Sequence, residues 1–194
     1  MPVFSNQSPF IFKWFPYFKW LVYALLAVNV GLFFNQATWV EGVDSIAWVA
    51  LLLLFEWETT HLNRKKSILK WEKVSLHAAR LIAYVVILYS AYEYMQPSYI
   101  AAQGFIDAFN AVTWILVVIV LEYDVYAPAR LLRQRWRIHS LIKFALYAAL
   151  VIYALIWGFS GEFLNFYDAF LWILCFFVIE LNIFKFEKTH VYAA

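Results

Sequence analysis

The sequence predicts an all-α integral membrane protein: six transmembrane helices forming three parallel two-helix hairpin repeats with pseudo-threefold symmetry. Three observations carry that prediction. The 194-residue chain is 65% hydrophobic and 22% aromatic with only 14% charged residues, outside the usual range of soluble domains and inside that of polytopic membrane proteins. One polar and aromatic pattern is written three times. The Lys and Arg residues fall in only four places, which alternate with runs of apolar residues.

Six apolar segments follow one another, at about residues 20–36, 44–60, 78–95, 104–126, 142–159 and 166–184. Each is near the ~20 residues that an α-helix needs to cross a ~30 Å hydrocarbon core, the second being short if its Glu residues are excluded. Ahead of the first, residues 10–18 are apolar and broken by Pro16, which predicts an interfacial segment along the membrane. Trp14, Phe15, Tyr17 and Trp20 belong to an aromatic belt there. The chain forms a single membrane domain, 1–194, with repeats at 10–62, 67–127 and 131–186.

The charges orient these segments. Lys13 and Lys19 precede the first, basic stretches within 64–80 and 130–143 precede the third and fifth, and Lys185 and Lys188 follow the sixth. The three intervening connections hold no Lys or Arg and carry Glu41, Asp44, Glu93, Asp107, Glu162 and Asp168. By the positive-inside rule both termini are cytoplasmic, in a plasma or bacterial inner membrane. The net charge of +2 conceals this polarity. Arg130, Arg133, Arg135 and Arg137 with Trp136 read as an amphipathic lead-in that serves topology and anionic headgroups, not as a nucleic-acid surface. Their irregular spacing in a loop also excludes a voltage sensor.

The repeated pattern is Glu41-x-x-Asp44-x-x-x-Trp48-x7-Glu56, then Asp107-x-x-Asn110-x-x-x-Trp114-x7-Glu122, then Asn165-x-x-Asp168-x-x-x-Trp172-x7-Glu180. A second element lies on the odd segments, where Lys19, Arg80 and Lys143 are each followed four residues later by Tyr23, Tyr84 or Tyr147. That spacing stacks cation and phenol one helical turn apart. From Tyr to Glu is 33, 38 and 33 residues, and the extra five fall in the loop around Gln96-Pro97-Ser98. Parallel repeats are related by an axis along the membrane normal. Residues following each Glu differ: Glu58, Asp124 and Asn182 stand two positions later, roughly on the opposite side of the helix. The first acid, common to all three copies, is the better functional candidate.

An ionisable side chain within an apolar segment is costly enough to suggest a function. Glu56, Glu122 and Glu180 around a common axis would share protons and attract cations, and carboxylate rings select cations in pores. Asp44, Asn110 and Asp168 would form the outer ring, and Trp48, Trp114 and Trp172 a hydrophobic constriction between the rings. The expected function is a membrane cation or proton channel or transporter. The alternative is a non-catalytic membrane scaffold or accessory subunit, alone, as a homo-oligomer or in a larger complex, whose Glu residues pair with Lys19, Arg80 and Lys143.

Other chemistries find little support. Cys175 is the only cysteine, so neither a disulfide within the chain nor a thiolate cluster can form. Residues 1–8 have no signal-peptide pattern. There is no GxGxxG, P-loop or HExxH, and Ser67, Ser75, Ser90 and Ser140 lack spaced catalytic partners. Glu58-x-x-His61 has a metal-site spacing that does not recur, while His77, His139 and His190 are scattered. The expectation is no enzyme, no metal and no cofactor, with the lipid bilayer and cations or protons as partners.

Overall fold

The computed structural model describes residues 9–63, 70–126 and 129–176. They form seven helices and no strand: α1 (Pro9–Gln36), α2 (Trp39–Asn63), α3 (Lys70–Tyr94), α4 (Pro97–Gln103), α5 (Ile106–Tyr126), α6 (Ala129–Ser160) and α7 (Phe163–Phe176). Four of these, α1, α3, α5 and α6, hold stretches long and apolar enough to cross a membrane. Only 17–28% of those stretches is buried within the protein, so their apolar surface faces outward to an extent that water would penalise. The 25-residue α2 is long enough by helical rise, about 38 Å, but carries Glu41, Asp44, Glu56 and Glu58. The described part of α7 is too short alone. Glu180, Asn182 and Lys185 lie outside the described residues.

Two elements differ from expectation. The 10–18 segment is not separate from the first span, because α1 continues unbroken through Pro16. Proline removes one helical hydrogen bond, but beside an apolar environment the neighbouring backbone groups have no better partners than the helix itself. The five extra residues of the second repeat form a helix, α4, and not a plain loop. Gln96 is extended ahead of Pro97, which suits the first turn, and Gly104 ends the helix at φ 93° with its N–H donating to the Ile100 carbonyl at 2.9 Å.

The hairpin tips show why the chain reverses there. Between α1 and α2, the Thr38 N–H and hydroxyl both donate to Glu41 Oε2, at 2.6 and 2.8 Å, in a capping box. Gly42 of α2 then lies under the Phe34 ring of α1, where a Cβ would come within 2.8 Å of the ring. At the tip between α6 and α7 the sizes are exchanged. Gly158 of α6 faces the Phe166 ring of α7, and a Cβ would meet it at 3.2 Å. Phe34 and Gly158 each lie 11 residues after their repeat tyrosine, and Gly42 and Phe166 each two residues before their repeat aspartate. The same paired positions are thus filled once large-small and once small-large.

Helix α2 packs against α1 and α3, and α5 against α3 and α6. The core between them is apolar: Leu26 of α1, Leu52 of α2, Val117 of α5, Leu150 of α6, and Leu171 and Cys175 of α7 are all buried. It separates two polar layers, an acidic end at the tips of α1–α2 and α6–α7 and a basic end marked by Lys19 and Arg80.

Candidate functional site

The three repeat tryptophans meet. The centroid of Trp48 lies 6.2 Å from that of Trp114 and 6.1 Å from that of Trp172, and Trp114 and Trp172 are 6.2 Å apart. The rings are tilted or edge-on to one another, the arrangement that the quadrupoles of neighbouring π-systems favour. This nearly equilateral triangle draws one ring each from α2, α5 and α7 and closes the space between those helices.

On the acidic side of the triangle is a cavity of about 80 Å³, several times the roughly 15 Å³ that one water requires. Its lining comes in sets at equivalent repeat positions. The tryptophans form the floor, and Asp44, Asn110 and Asp168 stand one turn above them. Glu41, Asp107 and Asn165 follow, and Phe33, Tyr94 and Trp157 are supplied by the intervening helices. Phe33, Tyr94 and Trp157 each lie ten residues after the repeat tyrosine of their own helix.

The acids of this cavity are held by neutral donors. Asn29, fully buried on α1, donates from Nδ2 to Asp168 Oδ1 at 2.5 Å, a bond that joins the first helix to the last described one. Tyr94 donates to Asp44 Oδ2 at 3.4 Å, and the Ser90 hydroxyl and Trp48 side chain also face that carboxylate. Tyr99 of α4 lies between two acids, 2.9 Å from Glu41 Oε1 and 3.1 Å from Asp107 Oδ2. A hydroxyl has one proton, so it donates to one of them at a time and leaves acceptor capacity over. Burial, and then the Asp107 and Glu41 charges, push the Tyr99 hydroxyl above the usual phenol value, so it keeps that proton. Among the described residues, no Lys or Arg lines the cavity.

The basic end is built otherwise. Lys19 Nζ lies 2.5 Å from Glu56 Oε1, with both side chains largely buried, and Tyr23 donates to Glu56 Oε2 at 3.3 Å. Tyr84 hydrogen-bonds Glu122, which is exposed. Arg80 forms an ion pair with Glu58 of the preceding repeat. Glu56 and Glu58 therefore face different helices, α1 and α3. Glu180, which would complete the inner ring, is outside the described residues, so its relation to Lys143 and Tyr147 is too.

Sequence reasoning missed Asn29, Ser90, Tyr94 and Tyr99. A signal existed for the first two, since Asn29 and Ser90 each follow their repeat tyrosine by six residues and are buried polar side chains in apolar helices. Among the described residues, no group of three or more His, Cys, Asp and Glu is placed to hold a metal ion. No protein-family model matches the chain, nor does any curated protein or solved structure.

Proposed function

We propose that the chain is a non-catalytic integral membrane protein of six spans, three parallel hairpins about a pseudo-threefold axis with cytoplasmic termini, which conducts cations or protons and is closed in this structure. The observation that carries the reading is the cavity at the acidic end, where Glu41, Asp44, Asp107 and Asp168 converge with no Lys or Arg among the described residues that line it. Such a cavity concentrates cations, and carboxylates without cationic partners in a partly dehydrated site are costly unless a mobile cation or proton compensates them. The matched sets lining the cavity, the tryptophan triangle and the exchanged Phe–Gly pairs support the threefold repeat.

In this reading Asp44, Asn110 and Asp168 form the outer polar ring, and Trp48, Trp114 and Trp172 are the constriction that excludes water. Glu56, Glu122 and Glu180 form the inner ring, with Lys19 and Tyr23 holding Glu56 in the closed state. A second reading, a membrane scaffold or accessory subunit, is favoured by the Lys19–Glu56 and Arg80–Glu58 pairs, which lock helices together without any pathway.

Flux of protons, Na⁺ and K⁺ into liposomes separates the two. The wild type is expected to exceed empty liposomes, an Asp44→Asn/Asp168→Asn variant to fall by about ten-fold as the local cation concentration drops, and Trp172→Ala to rise. Absence of flux from the folded wild type and from Trp172→Ala, across pH and voltage, decides for the scaffold.

A further inference from the structure

We propose that the cavity at the acidic end is a binding site for a small quaternary ammonium ion, an inference that rests on the cation reading and names its ligand class. Below the acids the floor is three indole rings in mutual contact, and Phe33, Tyr94 and Trp157 stand around it. Aromatic faces attract cations through the ring quadrupole, and cages of them are the usual means of holding quaternary ammonium groups.

The acids are suited to the same ligand. An alkali or divalent metal ion needs several oxygens at fixed short distances, and no cluster of the described residues provides a metal-type set. Here one oxygen of each carboxylate already faces a protein donor: Asn29 for Asp168, Tyr94 for Asp44, and the shared Tyr99 hydroxyl for Glu41 and Asp107. They supply a negative potential more than a coordination shell. A quaternary ammonium needs that potential and no hydrogen bond, and it sheds water more readily than a small metal ion.

Two buried carbonyl oxygens add to it. Asn110 Oδ1, in the cavity wall, and Oδ1 of the fully buried Asn29, whose amide is bound to Asp168, have no donor among the described residues. An unsatisfied carbonyl oxygen near the acids suits a cation and penalises an anion. The same charges argue that the ligand is a free solute. A phosphocholine lipid headgroup would bring its phosphate among four carboxyl groups.

The test is calorimetric titration of the full-length protein, purified in a maltoside detergent, with tetramethylammonium chloride against KCl and NaCl at matched ionic strength. Saturable tetramethylammonium binding at least about ten-fold tighter than K⁺ or Na⁺ is expected. Trp157→Leu, which spares the triangle, and Asp168→Asn should each weaken it by about five-fold or more, with folding checked by thermal unfolding. Potassium or sodium bound as tightly as tetramethylammonium would overturn this inference and leave the cation reading standing. Failure of the folded wild type to bind any of the three would overturn both. Tetramethylammonium binding unchanged in both variants would place the ligand elsewhere and sink the proposal.

Discussion

Glu56 at the basic end accepts hydrogen bonds from the Lys19 ammonium and the Tyr23 hydroxyl, whereas Asp168 at the acidic end, across the tryptophan layer, meets a carboxamide. The sequence repeat puts Glu56 and Glu122 toward the basic end and Asp44, Asp107 and Asp168 toward the acidic end. Helices α1 and α3 give the basic end its described cations, Lys19 and Arg80. The difference teaches that the two layers are built differently: an ion pair fastens helices at one, and acids gather among neutral donors at the other.

The largest expected effect breaks that contrast directly. Lys19→Met takes the ammonium group away from a largely buried Glu56 and should destabilise the protein by about 3 kcal/mol, the cost of removing one member of a buried pair. Asp44→Asn removes a carboxylate that no Lys or Arg among the described residues opposes, keeps the side chain's size, and should change stability by less than ~1 kcal/mol or raise it. Denaturant unfolding in micelles compares the two. Equal losses at both ends would show that the acidic layer is held as a structural network like the basic one.

How much of this was legible beforehand follows from what kind of rule each feature obeys. The Trp48–Trp114–Trp172 triangle was readable because helical spacing and internal repetition fix it: equal offsets put equal residues at one height. Arg80 shows where that reasoning stops. Its repeat position suggested Glu122, yet its ion pair is with Glu58, because α3 lies between α2 and α5 and the register of the neighbouring hairpin, not the spacing within its own, decides the partner. Tyr99 was invisible for the opposite reason. It belongs to five residues found in one repeat only, so no internal comparison could flag it. The Thr38-x-x-Glu41 capping box is a plain local signal, and it gives Glu41 a role at the start of α2 besides its place in the acidic lining.

A smaller effect sharpens the comparison between repeats at the hairpin tips. Gly42→Val should cost about 2 kcal/mol by forcing Phe34 from its place, the usual price of overpacking. The exchanged pair Phe34→Gly/Gly42→Phe reproduces the arrangement already present as Gly158 and Phe166, and should recover to within ~1 kcal/mol of wild type. If the exchange is as damaging as the single change, the two tips are not equivalent packing units. The likeness of hairpins one and three would then be confined to their polar residues.

The smallest effect returns to the two ends and removes a single hydroxyl from each. Tyr99→Phe takes the only described donor from Asp107 and one of the contacts of Glu41, which keeps its Thr38 bonds. A partly buried acceptor left unsatisfied costs about 1 kcal/mol or more. Tyr23→Phe removes a 3.3 Å bond from a carboxylate that retains Lys19 at 2.5 Å, so its loss should be smaller, near 0.5 kcal/mol, the low end for a net hydrogen bond. The ordering is the informative part. An acid beside a lysine has a charge to fall back on, while an acid among neutral groups depends on each donor singly. If Tyr23→Phe proves the more damaging, the phenol is what positions Glu56 and the lysine merely follows.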